Sequence, residues 1–330
     1  MSTSIAVIVA ASAAAYLGHS RGGLAILGAF VCLRAVRFAL GDCDVTLAGC
    51  GVRAAELKGR VVWVTGASSG IGEGLAMELA KHGAVVVLSA RREAELQRVA
   101  AACGASTVVV PMDVANEASR VAGVEAVYKR LGKVDILINN AGISQRALAA
   151  DVSESAERSL FEVNYFGTVA LTKLVVKRMR GNGGGRIAVI SSVAGKVPAP
   201  VSASYSATKH AVNGFFGALR IEEAPNNIGV TVICPGPVVS EVARNALGAD
   251  GKPLGPRDNE YAGKMPTARC CYLCVAGISN GLEEMWISEQ PYLLYTYIAQ
   301  YMPTIFIRIA KKFGQKRVSA VRAGKGNINE

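Results

Sequence analysis

The stretch Thr65-Gly66-Ala67-Ser68-Ser69-Gly70-Ile71-Gly72 decides the fold. It follows Arg60–Val64, a short run rich in β-branched residues, which is typical of a strand buried on both faces of a parallel sheet. Gly74–Ala80, after it, has the spacing of a helix. Glycines let the backbone approach a pyrophosphate, and the free N–H groups of the first helical turn point at it. Strand, glycine turn and helix together predict a dinucleotide cradle. Its residues are Gly66, Ser68, Ser69, Gly70, Ile71 and Gly72.

The composition suits one large α/β domain, with or without a membrane attachment. The chain has 330 residues, of which 51% are hydrophobic. Its net charge is +11, and residues 308–330 carry a net +6, so just over half of the excess lies in the C-terminal tail. Such a tail contacts anionic surfaces or is solvated. Nucleic acid is the less favoured partner, because the charges are not interleaved with a series of base-stacking aromatic residues.

The cysteines predict no metal site. Of eight, only Cys270, Cys271 and Cys274 cluster, on a stretch with helical character, and no second Cys or His pair completes a zinc set. We interpret these three as small buried hydrophobic side chains. The cysteine pattern does not indicate a redox compartment.

Residues 1–40 are predicted to form a hydrophobic membrane anchor. Ile5–Gly18 and Gly23–Leu33 are apolar, but neither reaches the roughly 20 residues that cross a bilayer. Taken together, or as Gly22–Leu40 with two arginines reaching back to the interface, they make one acceptable span. The alternative is a helix packed on the folded domain. A cleaved signal peptide fits less well, because no positive charge precedes the apolar run. The basic residues that follow favour a cytosolic body.

Residues 59–290, after a predicted linker at 41–58, alternate short apolar runs with helical stretches. The alternation predicts a single doubly wound α/β domain with a seven-stranded parallel sheet and ligands at the carboxyl ends of the strands. The predicted strands are Val61–Thr65, Val85–Ser89, Thr107–Pro111, Ile136–Asn139, Arg186–Ser192, Val230–Cys234 and Met285–Ser288. The predicted helices are Gly70–His82, Glu93–Ala102, Asn116–Leu131, Ser155–Met179 and Tyr205–Ala224.

Residues 291–330 form an extension that is first apolar and then basic. Within it, four apolar side chains share a helical face opposite three basic ones. A basic amphipathic helix suits an anionic membrane surface. Packing on the body of the domain, or on a second copy of the chain in a homodimer, explains the pattern equally well. The apolar face consists of Ile305, Phe306, Ile309 and Phe313, and the basic face of Arg308, Lys311 and Lys312.

The strand ends carry further candidate cofactor ligands. Ala90, after the second strand, has no carboxylate for an adenosine ribose, whereas Arg91 and Arg92 offer a fork for a 2′-phosphate. This pattern predicts NADP(H); the alternative is a pair of solvated arginines at a helix start. Asp113, after the third strand, is placed to accept a hydrogen bond from the adenine amine. Asn140-Ala141-Gly142, after the fourth, is placed to brace the sheet and to line the cofactor.

Tyr205 and Lys209 are four residues apart, and therefore lie on one face of one helix. A tyrosine with a pKa of about 10 is a poor proton donor and a worse base at neutral pH. A neighbouring ammonium and an oxidised nicotinamide are expected to lower that pKa, so that Tyr205 exchanges a proton with a carbonyl or alcohol oxygen. Ser192, at the end of the fifth strand, is placed to hold the same oxygen.

These motifs resemble the short-chain dehydrogenase/reductase family over residues 61–236. The resemblance implies a Rossmann domain, a proton relay through water from Asn164 to Lys209, substrate positioning by Ser192, acid–base chemistry by Tyr205 and ribose binding by Lys209. The matching motifs are TGASSGIG, NNAG, EVNYFG with Asn164, ISSVAG, YSATK and CPGPV from Cys234. The residues after the sixth strand to which it implies cofactor contacts are Pro235, Gly236, Val238 and Ser240.

C-terminal stretches extend the likeness to the dehydrogenase/reductase member 7 branch. They begin at Lys264 (KMPTARC), Trp286 (WISEQP) and Tyr301 (YMPT). This likeness implies a carbonyl reductase of the endoplasmic reticulum membrane that uses NADPH on lipophilic carbonyls such as steroids, retinal and xenobiotic ketones or quinones. The substrate flap expected at Ala243–Gly263 departs from the common pattern, because it is rich in glycine, proline and charge. The alternative function is a catalytically silent cofactor-binding regulator or scaffold, which would not need an activated tyrosine.

Overall fold

The computed structural model describes residues 41–50, 54–242, 244–255 and 263–323. The anchor predicted for residues 1–40 lies outside these ranges, as does part of the predicted flap. Within them, none of the helices is both long and apolar enough to span a bilayer.

Seven parallel strands form one sheet in the order β3-β2-β1-β4-β5-β6-β7. The order reverses between β1 and β4, which is where a doubly wound sheet opens a crevice for ligands. This topology confirms the predicted α/β domain and its seven-stranded parallel sheet. The strands are β1 (Val61–Thr65), β2 (Val85–Ser89), β3 (Thr107–Val109), β4 (Ile136–Asn139), β5 (Gly185–Ile190), β6 (Ile228–Pro235) and β7 (Glu284–Ile287).

Helices cover both faces of the sheet. Val62 and Val64 point to one face, where they join the core with Leu75, whereas Trp63 points to the other, where it joins Phe216. Burial on both faces explains why the strands read as continuous apolar runs. The helices are α1 (Val45–Gly49), α2 (Gly70–Lys81), α3 (Glu93–Cys103), α4 (Glu117–Leu131), α5 (Glu154–Phe161), α6 (Thr168–Gly181), α7 (Ala203–Glu223), α8 (Thr267–Ser279), α9 (Tyr292–Tyr301) and α10 (Pro303–Arg322).

The long helix predicted for Ser155–Met179 is divided in the structure. A π-helical turn, Glu162–Gly167, separates α5 from α6. A Cβ atom on Gly167 would clash with the carbonyl oxygen of Val114, so the turn also allows a close backbone approach. The extra residue of a π-turn redirects side chains locally, and such turns are frequent at functional sites.

Residues 41–50, predicted as linker, instead pack along the outer edge of β7. Cys43 pairs antiparallel with Ile287, and Leu47 is fully buried. Asp44 caps α1 by accepting from the N–H groups of Thr46 and Leu47, each at 2.9 Å. The Asp44 backbone N–H donates to the Trp286 carbonyl at 2.8 Å. Asp44 therefore both caps α1 and pairs with the backbone of Trp286 at the edge of the sheet. Residues 41–50 are in this way part of the domain.

The helices α9 and α10 lie against the loop that precedes α7. Gln300 Nε2 donates to the Lys196 carbonyl at 2.8 Å, and a Cβ atom on Gly314 would lie 3.1 Å from Pro200 Cγ. Of the predicted apolar face of α10, Phe306 is buried, but Phe313 is 63% exposed. Part of that face is therefore left at the surface.

Candidate active site

The glycine loop forms a close-packed cradle at the end of β1. Gly66 and Gly70 have φ angles of +64° and +59°, which favour glycine. A Cβ atom on Gly66 would lie 2.8 Å from Ala141 Cα, and one on Gly72 would clash with the Gly66 carbonyl. Ser69 is the N-cap residue of α2, and its side chain makes no capping hydrogen bond. The first-turn N–H groups of a helix have no intrahelical partners, so this loop fits an anionic dinucleotide.

Asn140 braces the loop from β4. Its Nδ2 donates to the carbonyls of Thr65, at 3.0 Å, and Gly66, at 3.2 Å. The N–H groups of Asn140 and Ala141 both donate to Thr65 Oγ1. Of the two roles predicted for this segment, the structure shows the brace.

The two arginines after β2 differ in position. Arg92 Nη2 lies 3.1 Å from Ser68 Oγ and 3.1 Å from Ser69 Oγ. Arg91 is exposed. A guanidinium beside two hydroxyls provides several donors for one phosphate. The structure therefore brings Arg92, rather than Arg91, to the glycine loop.

Asp113 lies beyond the end of β3 and is partly buried. Its Oδ1 accepts from the N–H of Ala115 at 2.9 Å, and its own N–H donates to Ser119 Oγ at 3.0 Å. Its carboxylate thus has one oxygen engaged in a local turn. The predicted contact with an adenine amine stays a prediction.

Ser192, Tyr205 and Lys209 come together between β5 and α7. The Ser192 side chain acts on the Tyr205 phenol and lowers its pKa. Ser192 Oγ also accepts from the Ala194 N–H at 3.1 Å, which fixes its orientation. Lys209 Nζ donates to the Ile190 carbonyl at 2.9 Å and lies 5.7 Å from the centroid of the Tyr205 ring.

Burial, rather than the lysine, dominates the acidity of Tyr205. Desolvation raises the pKa of Tyr205 above its usual value, although hydrogen bonding to Ser192 and the positive charge of Arg146 act in the opposite direction. Lys209 is not among the groups that shift the pKa of Tyr205 in the described chain, and the lowering predicted for Lys209 together with an oxidised nicotinamide stays a prediction. The spacing of the two residues indicated a shared helix face but not the burial of the phenol. At neutral pH Tyr205 is a protonated donor.

The ammonium of Lys209 is also perturbed by burial. Desolvation lowers the pKa of Lys209 to about 8, and the neighbouring Cys234 has a small opposing effect. Burial raises the pKa of Cys234 to about 12, so this thiol stays neutral. Lys209 is consequently charged at pH 7 and loses its charge in mildly alkaline solution.

Asn164 lies within the π-helical turn and is almost fully buried. Its Oδ1 accepts from the Ile143 N–H at 2.8 Å, while its Nδ2 donates to the Ile143 carbonyl at 2.9 Å and to Thr208 Oγ1 at 3.1 Å. A Cβ atom on Gly142 would lie 3.2 Å from Asn164 Oδ1 and 3.7 Å from Lys209 Nζ, so both groups border the same glycine. The structure places Asn164 at the site, with its amide engaged by the protein; the predicted proton relay stays a prediction.

The end of β6 and the residues that follow it also border the cradle. The Pro235 carbonyl accepts from Ser192 Oγ at 3.4 Å, and the Gly236 N–H donates to the Ile287 carbonyl at 2.8 Å. Val238 is buried and pairs with Met265. Ser240 packs against the glycine loop, because a Cβ atom on Gly70 would lie 3.2 Å from Ser240 Cβ.

The charge of Arg146 beside Tyr205 and the link from Arg146 to the flap were not predicted from the sequence. Arg146, from the loop after β4, carries the positive charge that acts on Tyr205. Its backbone N–H donates to the Leu247 carbonyl at 2.9 Å, so the described part of the flap is tied to the same loop. Only the tertiary fold brings Arg146 to Tyr205, since the two residues lie on different elements.

The comparisons with known proteins agree with this geometry. A family model described as short chain dehydrogenase matches residues 60–250. The chain belongs to the short-chain dehydrogenase/reductase family. Dehydrogenase/reductase SDR family member 7 of Homo sapiens is 44% identical to it over 277 residues, which is 82% of each chain. The member 7-like protein of Drosophila melanogaster is 37% identical over 272 residues, which cover 80% of this chain and 83% of that one. The predicted resemblance to the member 7 branch is confirmed.

Solved structures of this family support a nicotinamide cofactor. The 3-ketoacyl-(acyl-carrier-protein) reductase from Brucella melitensis, complexed with NADH, has a TM-score of 0.64 at 28% identity, covering 72% of this chain and 100% of that one. A single-substitution variant of actinorhodin polyketide ketoreductase with NADPH has a TM-score of 0.54 at 37% identity, covering 56% of this chain and 73% of that one. The chain is thus a short-chain oxidoreductase whose fold and cradle fit NAD(P).

Proposed function

We propose that this short-chain dehydrogenase/reductase is an NADPH-dependent carbonyl reductase, reversible in principle, with Tyr205 as its general acid. Its substrate is a lipophilic carbonyl such as a steroid, a retinoid or a xenobiotic ketone or quinone. The single observation that carries the proposal is the position of the Lys209 ammonium, 5.7 Å from the ring centroid of Tyr205, a phenol whose raised pKa keeps it protonated at neutral pH. A phenol in that state donates a proton to a carbonyl oxygen as it is reduced.

The protein residues have distinct roles in this reaction. The bound nicotinamide supplies the hydride. Ser192 holds the carbonyl oxygen of the substrate by hydrogen bonding, and Tyr205 transfers its proton to that oxygen. The Lys209 ammonium, close to the Tyr205 ring, stabilises the phenolate that remains. Because burial lowers the pKa of Lys209 to about 8, we expect the reduction rate to fall as the pH rises through that value.

The preference for NADPH is supported by the position of Arg92. Its Nη2 lies 3.1 Å from the hydroxyl oxygens of both Ser68 and Ser69 in the glycine loop. A 2′-phosphate there would meet one cation and two hydroxyl donors. Gly66 and Gly72 pack the loop closely against Ala141 and against itself, since neither position has room for a side chain. The adjacent pyrophosphate would then bind at the N-terminus of α2.

We place the enzyme at the endoplasmic reticulum membrane. The anchor predicted for residues 1–40 would hold it there, and the surface of α10 would contribute a second contact. Ile305 is 49% exposed, and Lys311 and Lys312 on the same helix are exposed too. Apolar side chains next to lysines suit the interface of an anionic bilayer.

The test is NADPH oxidation by the full-length chain with a panel of steroid, retinal and quinone carbonyls. We expect Tyr205→Phe to lose activity by roughly 100-fold or more, because general acid catalysis contributes that much or more. Tyr292→Phe, on the exposed side of α9, is the matched control and should retain activity. Wild type and Tyr205→Phe that bind NADPH but are equally inactive would favour a regulator or scaffold instead.

A further inference from the structure

Arg92 joins the glycine loop to the segment that leads into the flap. Its Nη2 contacts Ser68 Oγ and Ser69 Oγ on one side and lies 3.8 Å from Glu241 Oε2 on the other. Both members of this ion pair are partly exposed, with side-chain exposures of 53% for Arg92 and 41% for Glu241. The carboxylate therefore shares the guanidinium with the two serine hydroxyls.

The backbone holds Glu241 at this position. Ser240, which precedes it, packs against Gly70, and a Cβ atom on Gly70 would lie 3.9 Å from the Glu241 N atom. The Glu241 carbonyl accepts from the Asn245 N–H at 2.9 Å. The Thr267 hydroxyl donates to the Val239 carbonyl and ties the same segment to α8. These contacts hold the backbone of Glu241 beside the glycine loop, within reach of Arg92 for its carboxylate.

A carboxylate at this place opposes the ligand that the neighbouring groups favour. The cation and the two hydroxyls are suited to a 2′-phosphate, which carries close to two negative charges at neutral pH. Glu241 competes for the guanidinium and repels the phosphate. A 2′-hydroxyl, which is neutral, is not repelled in this way. Glu241 therefore weakens the binding of NADP(H) and leaves the binding of NAD(H) nearly unchanged.

We propose that Glu241 is a specificity-determining residue that weakens binding of the 2′-phosphate by sharing Arg92, and so sets the ratio of NADP(H) to NAD(H) affinity. This inference rests on the proposed function, since it needs a dinucleotide in the cradle. Arg92 attracts the 2′-phosphate, and Glu241 limits that attraction. The balance between the two side chains keeps discrimination between the cofactors moderate.

The test is calorimetric titration of the full-length chain with 2′-phospho-ADP-ribose and with ADP-ribose, neither of which carries a nicotinamide. In Glu241→Gln we expect 2′-phospho-ADP-ribose to bind roughly three- to tenfold more tightly, which is the size of effect for one partly solvated charge at this range. Binding of ADP-ribose should change by less than about twofold. Glu125→Gln removes an ion-paired acid from α4, far from the cradle, and should change neither.

A double-mutant cycle with Arg92→Gln identifies the mechanism. If Glu241 acts through the guanidinium, the gain in Glu241→Gln largely disappears when Arg92 is also replaced. An equal gain for both ligands, a gain that persists without Arg92, or no gain would each overturn the inference. The proposed function fails separately. Wild type that binds ADP-ribose as tightly as 2′-phospho-ADP-ribose would refute the NADPH preference, while a shift in Glu241→Gln would still support the role of Glu241.

Discussion

Among single residues, Lys209 shows most clearly how stability and chemistry conflict in this site. Its side chain is almost completely buried, and its charge is compensated only in part by the Ile190 carbonyl and the Tyr205 ring. Burial of an ammonium favours its neutral form, which explains the lowered pKa. The charge that the reaction needs is therefore one that the fold disfavours.

We expect Lys209→Met to be more stable than wild type at pH 7 and to be inactive. Since one pKa unit corresponds to about 1.4 kcal/mol, a shift from 10.5 to about 8 implies a gain of up to roughly 3 kcal/mol. Between about pH 8 and pH 10.5 the unfolded chain binds more protons at Lys209 than the folded chain does, so the free energy of unfolding of wild type increases as the pH rises. Urea unfolding at pH 7 and pH 10 measures this.

The exposed Lys177→Met on α6 is the matched control. It should change the free energy of unfolding by less than about 0.5 kcal/mol at either pH. A Lys209→Met protein that is less stable than wild type at pH 7, or whose advantage does not shrink at pH 10, would contradict the interpretation.

The sequence was sufficient to name most candidate site residues but not their environment. The glycine loop, Ser192, Tyr205 and Lys209 lie at the same end of the sheet because parallel strands bring their carboxyl ends together. The burial that raises the pKa of Tyr205 was not foreseen, since residue spacing does not indicate burial. Arg91 and Arg92 are equivalent in the sequence, and only the backbone direction after β2 brings Arg92 to Ser68.

At the scale of elements, the predicted strands and the undivided predicted helices have bounds within two residues of those observed. β1, β2 and β4 have the predicted bounds, because each is an apolar run that ends in one polar residue. The π-helical turn was not predicted, since its period differs from that of a helix by one residue only over a short stretch. Helix α1 was also missed, because Asp44 acts as a cap whose second partner, Trp286, is remote in the sequence.

We expect Asp44→Ala to destabilise the domain by about 1–3 kcal/mol. The substitution leaves the N–H groups of Thr46, Leu47 and Trp286 without their acceptor, and the latter two are buried. Asp42→Ala, two residues earlier, removes only a partly exposed pair with Arg269 and should cost less than about 1 kcal/mol. Thermal unfolding measures the stability of both variants. Equal losses of stability would show that the hydrogen bonds of Asp44 contribute no more than the partly exposed ion pair of Asp42.

At the scale of the whole molecule, positive charge is concentrated at the end of the chain. The lysines of α10 are exposed, and so are its apolar side chains Ile305 and Phe313. The single domain was predicted from the strand–helix alternation. The partner of this surface was not, because a basic amphipathic helix has the same pattern whether it contacts lipid or protein.

We expect the lysines of α10 to increase binding to anionic vesicles. The triple substitution Lys311→Gln, Lys312→Gln and Lys316→Gln should weaken binding of the full-length chain to phosphatidylcholine vesicles containing phosphatidylserine by roughly tenfold or more, with little effect on phosphatidylcholine alone. The control replaces three exposed lysines elsewhere, Lys81, Lys129 and Lys177, and so changes the net charge equally. Equal losses in flotation assays would show that total charge, rather than α10, attracts the vesicles.

The segment that lies along β7 also limits how copies of this protein can associate. A row of unpaired backbone groups on an outermost strand would invite another chain to add its own strand, which leads to continuous intermolecular sheets. Cys43 and Asp44 already occupy the hydrogen-bonding groups there, and at the opposite margin β3 has only three residues. Assemblies of this protein would therefore form through its helices rather than by the addition of strands.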